Sequence, residues 1–261
     1  QLMDELVEAL KNVLAPTSIV INGAGRARVL EGLDESRRMG LGDMPTAAIK
    51  VPMNGAIYFA DVAEGQKTGI FYDQRPNHHF VQKLSAGKKV LDVFSHVGGF
   101  GLAAMANGAT EVTCVDSSQP ALDLAVRGAS ATQADVPFEI IKGDAFDVMI
   151  NMASQGKIFD IVVCDPPAFA PQKASREVGL RAYERVARLA SALVADGGYL
   201  ALCSCSHAAD LERFRASCIR GIGRAGRHAQ LIHTGGAGPD HPHHMALAES
   251  SYLKTLVFRM Q

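Results

Sequence analysis

The chain has no tryptophan, and phenylalanine and tyrosine together make up only 6% of its 261 residues. Base-stacking surfaces rich in indole are therefore excluded. Five cysteines (Cys114, Cys164, Cys203, Cys205, Cys218) are too few and of the wrong parity for a disulfide scaffold. No apolar run approaches the roughly 18 uncharged residues of a membrane span. The opening QLMDELVEAL is acidic and lacks the basic-then-apolar layout of a secretory signal, so the chain reads as cytoplasmic. With 26 Lys+Arg against 27 Asp+Glu, no uniform excess of one sign is present, and a coat of basic charge is excluded. No repeat or low-complexity tract breaks the chain. What remains is a chain 48% hydrophobic and 20% charged, enough to build a sizeable core.

Two regimes divide it. Residues 1–15 space Leu2, Leu6, Val7, Leu10, Val13 and Leu14 at helical intervals that stop at Pro16. From Ser18 to Asp61 short β-like runs follow (SIVI, ARVLEGL, AAIKV, AIYFADV), with turn pairs at Asn22-Gly23 and Asn54-Gly55. The second half alternates five near-continuously apolar runs with helical stretches. The runs are KKVLDVF (88–94), EVTCVD (111–116), FEIIKGD (138–144), FDIVVCD (159–165) and GGYLALCS (197–204); the helices fall at 99–107, 120–134, 145–153 and 175–195. Apolar strands alternating with helices predict a parallel sheet covered on both faces. The organisation expected is a small mixed α/β segment, 1–84, followed by a Rossmann-like domain, 85–261.

In an open parallel sheet ligands sit beyond the carboxyl ends of the strands, so those ends carry the reading. The first run ends in Asp92, Phe94, Ser95 and His96, then Gly98 and Gly99 open a helix of small residues. Glycines there allow close approach, and a helix start offers free N–H donors. The pattern is not G-x-G-x-x-G, which disfavours a nicotinamide dinucleotide. The second run ends in Asp116-Ser117, where a carboxylate can accept from both ribose hydroxyls. The third ends in Asp144-Ala145, where a carboxylate can meet an adenine amine. One acid per strand end suits a nucleoside with a charged amino-acid tail. This arrangement resembles class I S-adenosylmethionine-dependent methyltransferases.

The fourth run closes on Asp165, Pro166, Pro167, Ala168, Phe169, which resembles the methyltransferase motif D/N-P-P-x-Y/F. Two prolines fix the backbone and remove donors, so the turn is rigid. The fifth closes on Cys203, Ser204, Cys205, Ser206, His207. Two apart on a strand, Cys203 and Cys205 are expected on the same side of the sheet, with Cys205 further out on the rim. Metal ligation would need a second pair, for which only Asp240, His241, His243 and His244 offer themselves; no metal is expected. Carbon 5 of a pyrimidine is not nucleophilic until a thiolate adds at carbon 6, and an acid must then hold nitrogen 3. Asp165 and Cys205 could supply that pair. Methylation of an exocyclic amine would need the Asp-Pro-Pro turn but no cysteine.

Taken together, ARVLEGL (27–33), GQKTGIFYDQR (65–75), VLDVFSHVGGFGLAA (90–104), VTCVDSSQPAL (112–122), FDIVVCDPPAFA (159–170), CSCS (203–206), DHP (240–242) and ESSYLK (249–254) resemble the ribosomal RNA large subunit methyltransferase I family, which forms 5-methylcytosine in 23S rRNA. The resemblance implies a mostly parallel seven-stranded sheet. It implies S-adenosylmethionine as cofactor, held by Gln74, Arg75, Asp92, Phe94, Ser95, Gly98, Gly99, Asp116, Ser117, Asp144, Ala145 and Asp165. It implies Cys205 as nucleophile, Asp165 facing the base, and Pro166, Pro167, Phe169 and Lys173 at the substrate. The family carries an N-terminal RNA-binding PUA domain that this chain is read as lacking. His96 replaces a usual aromatic, and Arg127-Gly128 stands where relatives usually have an Asn.

RNA, expected to be 23S rRNA, would be met by basic side chains. Between Pro171 and Gln230 ten basic residues face five acids, and Arg181, Arg185 and Arg188 share a helical face. A homodimer is carried as a further partner, without a stretch that argues for it. Two rival readings stay open: an amino-group methyltransferase with Cys205 structural, and a non-catalytic RNA-binding or ribosome-assembly factor.

Overall fold

The structure is a computed structural model that describes residues 2–23, 26–33, 36–44, 46–62, 69–132 and 135–261. Residues 65–68 of the GQKTGIFYDQR stretch lie outside the described residues. Helix α1 (Leu2–Leu14) forms where the apolar spacing predicts, and Leu2, Val13 and Leu14 stay exposed. Strand β1 (Ile19–Asn22) is followed by α2 (Arg26–Leu30) and β2 (Arg37–Leu41). The ARVLEGL run, expected as a strand, is thus a short helix and turn. Its Ala, Arg and Leu are good helix formers, and Val29 and Leu30 are both exposed, so no sheet face holds them. The partner of β1 is instead RRMGL, paired antiparallel from Ile19↔Leu41 to Asn22↔Arg37. Asn22-Gly23 therefore leads into α2 rather than closing a hairpin.

Strands β3 (Ile49–Met53) and β4 (Ala56–Ala60) do form a hairpin. Asn54 and Gly55 both take positive φ, 51° and 75°, the two-residue turn whose twist matches antiparallel strands. A 3-10 turn at Tyr72–Gln74 then runs into α3 (Arg75–Leu84).

The alternating half follows as β5 (Lys89–Val93), α4 (Gly99–Ala106), β6 (Glu111–Asp116), α5 (Gln119–Thr132), β7 (Phe138–Lys142), α6 (Ala145–Ser154), β8 (Phe159–Cys164), α7 (Arg176–Ser191), β9 (Val194–Ser204), α8 (Leu211–Arg224), β10 (Ala229–Gly235) and β11 (Lys254–Met260). The sheet order is β10-β11-β9-β8-β5-β6-β7. Pairs β5–β6, β6–β7, β5–β8 and β8–β9 are parallel, while β11 runs antiparallel between β9 and β10. The fold is α/β, with the mostly parallel seven-stranded sheet expected from the sequence.

Apolar layers cover both faces. One gathers Met149, Tyr183, Phe214 and Leu256 under α6, α7 and α8. The other gathers Tyr58, Val81, Phe100 and Leu122 with the sheet residues Val90 and Val112, so β4 and α3 share a core with the sheet. After β7 the chain returns to the other side of β5. The strand order therefore reverses between β5 and β8, the switch point at which such sheets bind ligands. Among the described residues, no helix is long and apolar enough to cross a membrane.

Candidate active site

The turn after β5 is held in an uncommon conformation. Phe94, His96 and Gly98 take φ values of 63°, 50° and 82°, and Ser95 N donates to Val115 O on β6 at 3.0 Å. Left-handed non-glycine residues cost about 1–3 kcal/mol each and concentrate at functional sites. At Gly98 the left-handed φ strains any side chain, and a Cβ there would crowd Leu102 and Ala125 at 3.1 and 3.2 Å. The turn sets Phe94, Ser95 and His96 over the strand ends.

There a cavity of about 1300 Å³ opens. Its walls include Gln74, Asp92, Phe94, Ser95, Gly99, Asp116, Ser117, Asp144, Ala145 and Asp165 from the predicted cofactor set. Pro166, Pro167, Phe169 and Cys205 line it as well. Three predicted residues stand outside. Gly98 serves as the N-cap of α4. Arg75 turns to Asp240, 3.4 Å away, and borders a separate recess with Asn54 and His79. Lys173 is exposed on the 3-10 turn Lys173–Ser175.

The acids have different surroundings. Asp92 is fully buried; its Oδ2 accepts from Gly101 N at 2.8 Å, and its Oδ1 has no hydrogen-bond partner among the described residues. Burial, with Asp165 and Asp116 nearby, pushes its carboxyl up to about 7. Asp116 accepts from His96 N and Ser118 N, each at 2.8 Å. Asp144 is engaged as a helix cap, its Oδ1 accepting from Phe146 N at 2.9 Å and Asp147 N at 3.2 Å. Asp165 Oδ2 accepts from Gln74 Nε2 at 2.9 Å. Gln74 is fixed in turn, its Oε1 accepting from Asn77 Nδ2 at 2.7 Å and its backbone N–H donating to Asp73. Tyr252 O–H donates to the other Asp73 oxygen.

Asp73, Asn77 and Tyr252 were not singled out from the sequence. Asp73 and Tyr252 lie within the FYDQR and ESSYLK stretches, the only signal that pointed near them. Phe169 packs among Phe94, Phe146 and Tyr183, with ring centroids 5.0–6.4 Å apart. His78 lines the cavity edge-on to Phe100, and burial lowers its ring to about 3, so it is neutral. His207 also lines the cavity, its ring centroid 5.7 Å from that of Tyr252. His79 lies outside it, with Nδ1 3.0 Å from Gln82 Oε1.

Of the five cysteines, Cys114, Cys164, Cys203 and Cys218 are buried and only Cys205 is partly exposed. Strand β9 ends at Ser204, so the alternation expected to pair the faces of Cys203 and Cys205 stops one residue short. Cys203 Sγ lies 3.3 Å from Thr255 Oγ1 within the sheet. Cys205 sits on the following turn, which is pinned at several points. Ser206 Oγ accepts from Ala170 N at 2.9 Å and meets Tyr183 O–H at 2.7 Å, and Ser204 Oγ donates to Tyr183 at 2.9 Å. The buried Lys254 ammonium lies behind the same turn.

The sequence profile of S-adenosylmethionine-dependent methyltransferases matches residues 12–259. The chain belongs to that family. Ribosomal RNA large subunit methyltransferase I of Aeromonas salmonicida is 36% identical over 255 residues, 97% of this methyltransferase chain and 64% of the relative. The protein of the same name from Vibrio vulnificus is 34% identical over 252 residues, 95% of this chain and 64% of its own. This chain therefore spans a little under two thirds of those relatives. Among solved structures, a protein from Streptococcus mutans assigned as an S-adenosylmethionine-dependent methyltransferase superposes with a TM-score of 0.83 at 22% identity, covering 99% of this chain and 65% of that one. The tRNA m1G37 methyltransferase of Methanocaldococcus jannaschii reaches 0.64 at 14% identity, covering 99% and 68%. Both show the same fold.

The cavity fits the family's cofactor, S-adenosylmethionine. That molecule carries an ammonium and a sulfonium charge, and Asp92, Asp116, Asp144 and Asp165 at the strand ends are among the six carboxylates that line one space, with Asp61 and Asp73. The buried, unpartnered Asp92 Oδ1 would gain a donor from a bound ammonium.

Proposed function

We propose that this chain carries the catalytic part of an RNA methyltransferase that forms 5-methylcytosine in large-subunit rRNA. The observation that carries the reading is that Cys205 is the one cysteine lining the cavity, whose wall also includes Asp165 with its Gln74-held carboxyl group. The names of the relatives supply the RNA class. In this reading Gln74, Asp92, Phe94, Ser95, Gly99, Asp116, Ser117, Asp144 and Ala145 hold S-adenosylmethionine, which when bound supplies an electrophilic methyl group. Pro166, Pro167 and Phe169 seat the base. Residues 1–84 contribute Asp73 and Gln74 to the cavity wall, and 85–261 carry the chemistry.

The chain's own steps follow from the pyrimidine. The Cys205 thiolate forms a bond to carbon 6, and the displaced electron pair makes carbon 5 nucleophilic. Asp165 in its protonated form donates its proton to nitrogen 3 as the thiolate adds and takes it back when Cys205 leaves, so no free negative charge builds on the ring. After methylation a base takes the carbon-5 proton, and the returning electron pair expels Cys205. Cys164 is unsuited to be that base, because it is sealed in the core and burial drives its thiol far up. His207 lines the cavity and takes the role in this scheme.

The test is mass spectrometry after incubating the chain with S-adenosylmethionine and an rRNA fragment containing 5-fluorocytosine. Fluorine cannot leave as a proton does, so a covalent adduct on Cys205 is expected, absent in Cys205→Ala. Methyl transfer without an adduct, preserved in Cys205→Ala, would establish an amino-group methyltransferase instead. Cofactor-independent RNA binding with no transfer would establish a non-catalytic factor.

A further inference from the structure

The segment from Pro171 to Gln230 carries ten basic side chains against five acids. The fold assigns all five acids to six of the arginines. Arg176 pairs with Glu177, Arg213 with Asp210, Arg215 with Glu212 and Arg227 with Asp196; Arg220 and Arg224 share Glu184. Among the described residues no carboxylate pairs with Arg181, Arg185 or Arg188. Their spacing of four and three places them on one stripe of α7, and all three are exposed. With Glu184 and Arg224 they line a surface recess of about 420 Å³. The one acid in that recess is itself buried and already held from α8, so the surface presents unneutralised guanidinium groups.

The stripe is tied to the cavity through Arg185. The Arg185 guanidinium stacks over the Phe146 ring, 4.5 Å from its centroid, and Phe146 is part of the cavity wall. Positive charge thus begins on the far side of the ring that bounds the cavity and continues along α7 through Arg188. Guanidinium forks bind phosphate bidentately, and a polyanion laid along such a stripe releases its counterions. We propose that Arg181, Arg185 and Arg188 form the track for the phosphate backbone of a single-stranded RNA segment, leading one base over Phe146 into the cavity. This rests on the reading of the chain as an RNA methyltransferase.

The test uses the full chain and a fluorescein-labelled single-stranded oligoribonucleotide, with binding followed by anisotropy across a KCl series. The variant is Arg181→Gln/Arg188→Gln, which leaves the stacked Arg185 in place; Arg213→Gln/Arg215→Gln, whose arginines are already ion-paired, is the control. Thermal unfolding of each confirms the fold. The stripe variant is expected to bind about tenfold more weakly, with the slope of log K against log salt shallower by ~1.4, from two lost single-strand contacts. The control is expected to lose less than about twofold. A stripe variant with the affinity and slope of the wild type would overturn the track while leaving the RNA reading intact, provided the wild type binds. A wild-type chain that binds no RNA at low salt would overturn both.

Discussion

The Lys254 ammonium donates to the backbone carbonyl of Ser206 at 2.7 Å, and a second bond of the same length runs to Ala209. Lys254 pairs with Ser204 across the β9–β11 ladder, so its cation is held directly behind the turn that presents Cys205. Burial lowers its ammonium to about 8, while the charges of Cys205 and Asp210 act to raise it. The attraction is mutual, so a cation at Lys254 favours the thiolate at Cys205. The other groups about the turn, the Tyr183 and Tyr252 hydroxyls, have pKa values that burial raises, so both are neutral at physiological pH. Lys254→Met is expected to move the pH midpoint of Cys205 alkylation by iodoacetamide upward by about one unit, and Lys254→Arg to leave it nearly unchanged. The other four cysteines are buried, so native-state alkylation reports Cys205. An unaltered profile in Lys254→Met would show that the lysine only braces the turn.

Gln74 donates to Asp165 across 91 residues of sequence. A hydrogen bond to a charged group is worth about 1.5–3 kcal/mol, so Gln74→Leu should lower methyl transfer at saturating cofactor by roughly 10- to 100-fold. Gln74→Glu replaces the donor by a second carboxyl beside Asp165 and should lose more than Gln74→Leu. Equal losses would mean that the bond matters only for packing. Single-turnover transfer of labelled methyl separates the two outcomes.

The buried carboxyl of Asp92 titrates in the folded chain at about 7, above its ordinary value of 3.8. The folded state then holds this proton more tightly than the unfolded state does. The stability it contributes is present at pH below about 4 and is lost as pH rises through 7. Asp92→Asn should remove that slope, seen as urea midpoints that converge with the wild type in acid and exceed it at pH 8. His78 gives the opposite slope as pH falls below its unfolded value, but both proteins share it. A bound cation reverses the preference at Asp92, so wild-type affinity for S-adenosylmethionine should rise between pH 6 and 8 and that of Asp92→Asn should stay flat. A wild type as flat as the variant would remove Asp92 from the cofactor site.

The parallel half of the fold was legible because its physics is local. A strand buried on both faces must be nearly continuous in apolar residues, as VLDVF and IVVCD are, and the acids toward the ends of such runs stand out. The edge behaves differently. Most of β10 (AQLIHTG) is exposed or half-buried, and β2 (RRMGL) is held chiefly by its pairing to β1, so neither shows a clean period. In the site, Asp92, Asp165 and Cys205 were visible because each lies at or just beyond the carboxyl end of an apolar run. The Asp73–Tyr252 bond joins residues 179 apart and the Lys254–Ser206 bond residues 48 apart. Only the antiparallel return of β11 brings Tyr252 and Lys254 to that end of the sheet. Asp144 was legible as an acid at a strand end, yet its cap bonds depend on the helix that starts there, a second role of the same position.

Helices α7 and α8, which carry the arginine stripe and its ion-paired neighbours, meet at Gly221. A Cβ on Gly221 would fall 2.4 Å from the Glu184 carbonyl oxygen and 2.7 Å from Ala187 Cβ. The first of those atoms is backbone, so the helices would have to separate. Gly221→Ala is therefore expected to destabilise the chain by about 1–3 kcal/mol, the usual cost of overpacking. Two residues on, a Cβ at the exposed Gly223 would meet nothing within 4 Å. There the helix propensity of alanine acts alone, and Gly223→Ala should stabilise by about 0.5–1 kcal/mol. The same chemical change thus has opposite signs half a turn apart on one helix. Urea midpoints measured at constant m decide it: two shifts of the same sign would mean that α7 and α8 are not packed as closely as this geometry requires.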